Sequence, residues 1–171
     1  YDGLADAPDL QDRSCYLAAK ACVARSEQRY EDALAVGVEA AEFGQQAFGP
    51  ACQPVKQGLV EAIESALALG RRDRAAELVR QIESTPPGLR APYLEAQAHR
   101  FRARLGENPE LNWAAAAARF RELGIPFWLA VTLLEQGEPE GVAEAREIFE
   151  RLGATPWLER AADAAVERVA S

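Results

Sequence analysis

Along most of the chain the apolar residues return every three or four positions, the spacing of one buried face of an α-helix. Nowhere do they alternate with polar ones in the period of two that a half-buried strand requires. From Leu10 to about Ala24, Cys15, Ala18, Ala19, Cys22 and Val23 keep that spacing, which predicts a first helix with this stripe inward, capped by Asp9 after a lead-in loop over residues 1–9. Ser26 to Arg29 is a polar break, and Tyr30 to about Phe48 then sets Ala33, Val36, Ala40 and Phe43 along a seam, with Gly44 and Gly49 weakening its end. Pro50 and Pro54 bracket a loop before a third helix, marked by Val55, Leu59, Ile63, Ala66 and Leu67, that stops at Gly70. After the connector Arg71 to Arg74, Ala75, Ala76, Val79 and Ile82 mark a fourth, closed by Thr85-Pro86-Pro87-Gly88. A fifth runs from Ala91 or Pro92 to Leu105 with Leu94, Ala98, Phe101 and Leu105 inward, and Gly106 to Pro109 turns it. A sixth, about Glu110 to Leu123, holds Ala114 to Ala118 in succession, good helix formers and small enough to let a neighbour approach. The seventh, Pro126 to Gln136, is apolar nearly all round and should be covered on more than one side. After Gly137 to Gly141, an eighth covers Val142 to Leu152. A ninth, Pro156 to about Val169, turns Leu158, Ala162, Ala165 and Val169 inward and Glu159, Arg160, Asp163, Glu167 and Arg168 outward, as the solubilising cap of a stack does.

One phrase occurs twice. Phe120-Arg-Glu-Leu123-Gly124 with Pro126-Phe127-Trp128-Leu129 returns as Phe149-Glu-Arg-Leu152-Gly153 with Pro156-Trp157-Leu158. Each copy ends a helix on glycine and restarts one at proline, which suits the left-handed cap and the first helical turn respectively. Repetition at this pitch predicts stacked helical hairpins. The expected fold is all-α: about four helix pairs (10–49, 54–85, 91–124, 126–153) and a cap (156–169), a right-handed array in a single domain over residues 1–171. Leu152 is expected in the core, with Leu152→Ala costing about 2 to 5 kcal/mol.

Composition narrows the class. Hydrophobic residues make up 49% of the 171, enough for a core without staples. A chain that opens on Tyr1 and holds no Met is expected to be a piece of a longer polypeptide; within the piece no signal peptide is expected, and no apolar run is long enough to span a bilayer. Cys15 and Cys22 stand seven apart on one helix, about 10 Å along its axis and too far to bridge, so buried thiols in a reducing cytoplasm are expected. The net charge of −8 argues against a nucleic-acid module, because duplex affinity comes mostly from neutralising phosphates. The charge is uneven: the eight arginines between residues 71 and 104 outnumber four acids, and both flanks are acidic. Arginine, at 17 against 2 Lys, and abundant alanine fit a GC-rich bacterial source.

Candidate chemistry is sparse. His99 is the one histidine, a turn from Glu95 on the polar flank of the fifth helix, and no Cys pair has metal-ligand spacing, so no metal site and no cofactor are expected. Leu69-Gly70-Arg71-Arg72 lacks the rest of a phosphate loop, and no Gly-x-Ser-x-Gly elbow occurs. The pairs Glu135/Glu138 and Glu144/Glu147 read as solvated helix faces. Tyr93, Gln97, Arg100 and Arg104 step by four, three and four along one stripe of the fifth helix, an aromatic, an amide and two guanidiniums. They either line a groove for an acidic peptide or anion, or answer the acidic flanks within the chain. As a groove, reversing Arg100 and Arg104 to Glu weakens partner binding and spares the melting temperature; as structure, it lowers melting. Phe127 and Trp128 are either core or an aromatic anchor for a partner.

Tyr30-x-x-Ala33-Leu34, the pitch and the small residues at helix crossings resemble degenerate tetratricopeptide repeats that lack the Trp-x-x-Leu-Gly opening. Pro92-Tyr-Leu-Glu-Ala-Gln97 with Arg100-Phe-Arg-Ala-Arg104, the two Leu-Gly phrases, and Ala145-Arg-Glu-Ile-Phe-Glu150 resemble the C-terminal repeat region of bacterial class III adenylate/guanylate cyclase proteins with an AAA-type ATPase module, and of the related LuxR-type regulators. The likeness covers about residues 54 to 160. It implies a cytoplasmic, non-catalytic sensor or scaffold that binds a protein, a peptide or other domains of its own chain, with an oligomer allowed, and that biases a linked ATPase and cyclase output. In a LuxR-type activator it would instead bind an inducer or partner. No catalytic residue of either family carries over onto a position here.

Overall fold

The computed structural model describes residues 9–169, and side chains as far as Ala162. Those residues form nine helices and no strand: α1 (Leu10–Ser26), α2 (Tyr30–Phe48), α3 (Gln53–Ala68), α4 (Arg72–Ser84), α5 (Pro92–Arg104), α6 (Pro109–Glu122), α7 (Pro126–Gln136), α8 (Pro139–Leu152) and α9 (Thr155–Val169). None is long and apolar enough to cross a membrane. Residues 1–8 of the lead-in expected over 1–9, the inward positions Ala165 and Val169 and the outward positions Asp163, Glu167 and Arg168 lie outside the described residues and side chains. Helix starts follow local chemistry. The Asp9 carboxylate accepts from the Gln11 and Asp12 amides at 2.8 and 3.1 Å, and α8 opens three residues earlier than its apolar pattern, with Pro139 in its first turn.

Five helices end alike. Just beyond α1, α3, α5, α6 and α8, the amide of the residue that follows a left-handed one reaches back to a carbonyl five positions earlier: Arg29 to Ala24, Arg71 to Ala66, Glu107 to Arg102, Ile125 to Phe120 and Ala154 to Phe149, all at 2.8–3.0 Å. The residue that turns left-handed is Gly70, Gly106, Gly124 or Gly153 in four of them and Gln28 in the first. The repeated phrase is therefore repeated in structure: Phe120 and Phe149 are both fully buried, and each supplies the carbonyl that closes its helix.

The chain falls into two compact units, Tyr1–Phe101 and Arg102–Ser171, with the boundary inside α5. In the first, α1 packs on α2 and α3, α2 on α3, and α3 on α4. Two glycines set the closest approach. A Cβ on Gly58 would lie 2.5 Å from the Gly37 carbonyl oxygen and 2.9 Å from the Ala41 nitrogen, and one on Gly37 would lie 2.8 Å from the Gly58 oxygen. The α2 and α3 backbones thus touch, and α3 is buried on nearly every side, from Val55 through Gly58–Ile63 to Ala66. In the second unit α6 packs on α7, α7 on α8 and α8 on α9. As its composition predicts, α7 is buried along Leu129–Leu133.

Four expectations are corrected. The buried stripe of α1 is Ser14, Leu17, Ala18, Ala21 and Ala24, not the one through Cys15, Ala19 and Val23, which is exposed. Both faces of α1 are small and apolar, so spacing could not choose; Leu17 and the reach of Arg25 decide. With that rotation Cys15 is exposed and Cys22 only half-buried; Cys52, at the start of α3, is half-buried too, so the thiols are not sealed in a core. Leu152, at 45% exposure, is not core either: it is the last residue of α8, and Phe149 takes the inward place. On α9 the buried alanine is Ala161, one position before Ala162.

Gly58→Ala should destabilise the chain by about 3 kcal/mol, because both clashing atoms are backbone and cannot swing aside, which outweighs the ~1 kcal/mol that alanine gains in a helix. Gly141→Ala, whose Cβ would meet only Leu133 at an ordinary 3.5 Å, should instead gain about 0.5 kcal/mol. Leu152→Ala should cost no more than about 0.5 kcal/mol. Urea denaturation of the three variants measures all of this.

Candidate functional site

The polar residues that a mostly apolar unit has to accommodate gather on α1, α3 and α5. On α3, Glu61 and Glu64 stand three residues apart, so they share a face, and Glu61 is almost fully buried. Each finds a guanidinium 36 residues away. Arg25, in the last turn of α1, donates its Nε hydrogen to Glu61, and Arg100 of α5 donates from Nη2 to Glu64 at 2.6 Å. Arg100 also donates to the Gln97 side-chain oxygen at 3.1 Å, and the Gln97 amide donates to the Tyr93 hydroxyl at 3.0 Å. Arg100 is 1% exposed and Gln97 fully buried, and the Arg100 guanidinium lies 5.0 Å over the Phe101 ring. Two sets of contacts, Arg25–Glu61 and Glu64–Arg100–Gln97–Tyr93, thus meet on α3 and tie three helices together.

The electrostatics follow from burial plus pairing. Burial pulls the Arg25 guanidinium down, but its hydrogen bond and charge contact with Glu61 outweigh that and hold it above its ordinary value. Burial pushes the half-buried Cys22 thiol up, and the Glu61 carboxylate beside it adds to the rise. The Tyr93 phenol is pushed up to about 12 by burial, against the opposing pull of Gln97 and Arg100. At neutral pH the raised thiol and phenol are therefore both protonated.

Of the stripe Tyr93, Gln97, Arg100 and Arg104, the first three are brought together in this network, and Arg104 stands 3.6 Å from Glu135. Arg71 reaches Glu31 with both terminal nitrogens, at 2.8 and 2.5 Å, so arginines of the basic middle do meet acids of both flanks. Phe127 and Trp128 pack edge to face at 5.4 Å, and Phe127 continues onto Trp157 at 5.6 Å and Phe149 at 6.2 Å. Trp157 stacks on Phe149, and Arg160 lies 4.7 Å over its ring. His99 is half-buried on α5. Glu144 takes a hydrogen bond from Arg121 at 2.6 Å, so one member of each acidic pair, Glu135 and Glu144, meets an arginine.

The sequence reading missed Arg25, Glu61 and Glu64. The signal was there: Glu61 and Glu64 break an otherwise apolar helix, and a buried carboxylate demands a cation from a neighbouring element. A hollow of about 510 Å³ at the start of α4 is ringed by Arg71, Arg72 and Arg74, with Arg71 and Arg74 paired to Glu31 and Glu77. Among the described residues no group of three His, Cys, Asp or Glu could hold a metal ion. No protein-family model, curated protein or solved structure matches the chain.

Two sets of outcomes follow from these contacts, the first on the ion pairs. Arg100→Glu should lower the melting temperature by on the order of 10 °C, since it leaves Glu64 and the new carboxylate facing each other in a buried site. Arg71→Ala, which breaks a half-exposed pair, should cost less than about 1 kcal/mol. The second concerns alkali. Between pH 10 and 12 the unfolded Tyr93 phenol gives up its proton while the folded one keeps it, so this stabilisation is full below pH 10 and falls as pH rises through 12. Urea midpoints of Tyr93→Phe should lose that slope, worth on the order of 2 kcal/mol, relative to the unchanged chain.

Proposed function

We propose that this chain is a helical-hairpin repeat array, of the tetratricopeptide kind, serving as a non-catalytic interaction and sensor scaffold in a bacterial signalling protein, where it regulates a linked ATPase and cyclase output. The observation that carries this reading is the linkage of α1, α3 and α5 by two largely buried ion pairs, each spanning 36 residues. In a stack of hairpins the first helix of each pair lies beside the first helix of the next, and a connection at one fixed sequence separation is what such a stack produces. The contact of α1 with both α2 and α3, and the five like helix ends, support the same architecture.

A wall whose charges already satisfy one another is stiff, and stiffness is what a scaffold contributes. A partner then meets a surface whose shape is set before it arrives, so little ordering entropy is lost on binding. Disturbing the buried pairs would change how the array transmits a signal and leave the chemistry of a distant output domain intact.

Nucleotide cyclisation and ATP turnover by the intact parent, with and without Glu64→Gln in the array, test the proposal. Basal turnover should stay within about twofold, while the response to the activating signal should fall about tenfold or more, a coupling change of roughly 1.4 kcal/mol. Basal turnover that collapses with the substitution, or turnover of either nucleotide by residues 1–171 alone, would contradict it.

A further inference from the structure

We infer that the turn between α1 and α2 is a hinge through which the chain exchanges its first helix with a second copy of itself. Four of the five like helix ends place glycine at the left-handed position; the first places Gln28 there, at φ 60°. A side chain in that conformation crowds the following carbonyl, so this turn is strained where its four counterparts are not. No residue type between Ala24 and Glu31 requires a turn there. These residues include neither glycine nor proline, and Arg25, Glu27, Gln28 and Arg29 are helix formers.

Straightening residues 27–29 would join α1 and α2 into one rod and bring Gln28 into the right-handed region. The ion pairs that close the turn, Arg29 to Glu27 and to Asp32, both at 2.7 Å, are exposed and oppose opening weakly. A continuous helix keeps the Arg29–Asp32 pair at i, i+3 and adds a small repulsion between Glu27 and Glu31. Once swung away, α1 finds one seat of matching shape and charge, the same α2–α3 face of another copy. There Leu17, Ala18, Ala21 and Ala24 are buried again and Arg25 meets Glu61. Because undocking costs little beyond what redocking restores, strain relief at two turns is set against the entropy of association, and protein concentration decides the outcome.

Light scattering after size exclusion, over a concentration series, should find a slowly exchanging monomer and dimer. Gln28→Gly should weaken the dimer at least about tenfold, since it relaxes the closed turn and disfavours the open rod. Arg25→Glu in one chain and Glu61→Arg in another place like charges between α1 and α3 of each; only exchange of α1 restores opposite charges at both seats. Mixing the two should therefore produce a heterodimer with raised melting temperature. Should either variant fail to fold alone, recovery of helical circular dichroism on mixing carries the same meaning. A chain that stays monomeric up to its solubility limit, a dimer indifferent to Gln28→Gly, or a mixture that behaves as the sum of its parts overturns the proposal.

Discussion

The first unit depends on one close crossing, where Gly37 of α2 and Gly58 of α3 bring two backbones into contact. Without side chains between them, α3 comes close enough to α2 that α1 can lie on both. That leaves α3 wrapped on nearly every side, which is why its sixteen residues include ten buried ones. A helix so enclosed leaves its acidic residues little solvent. Glu61 and Glu64 must then be paired, and the cations come from the helices that flank it, Arg25 of α1 and Arg100 of α5. The crossing thus fixes the packing, the packing fixes which charges are buried, and the buried charges fix how α1 and α5 sit along α3.

The magnitudes separate this network from the other ion pairs. Arg71–Glu31 and Arg121–Glu144 have partners 41 to 61% exposed, and such pairs contribute at most about 1 kcal/mol. A pair such as Arg100–Glu64, with side chains at 1% and 13%, need not add much over a well-packed apolar equivalent, yet losing either member costs about 3 to 5 kcal/mol because the other is left uncompensated. The network is therefore better understood as specifying a register than as supplying stability. In the second unit rings take the corresponding place: Phe127 touches Trp128, Phe149 and Trp157 and joins α7 to α8 and α9.

Much of the architecture could be read from the chain, because its helix punctuation is strong. The expected helices all appear, most within a few residues, and the duplicated Phe-x-x-Leu-Gly phrase marks two structurally equivalent ends. Orientation was legible only where one face differed clearly from the other. On α2 and α3 the seams through Ala33, Ala40, Val55, Leu59 and Ile63 are buried as the spacing predicts. On α1 two faces of similar polarity left the choice to tertiary contacts. Half of the polar network was visible as the Tyr93–Gln97–Arg100 stripe on one helix. The other half was not, because Arg25 and Glu61 lie far apart in sequence, and only the crossing at Gly37 and Gly58 brings their helices together.

The account stands or falls on that crossing. In a nuclear Overhauser spectrum of the folded chain, the α-protons of Gly37 and Gly58 should give strong cross-peaks to one another or to the facing Ala41 and Ala62 amides, as direct backbone contact between α2 and α3 requires. Their absence, with both helices intact by chemical shift, would mean that side chains keep the two apart, and the burial of Glu61 and its pairing with Arg25 would lose their cause.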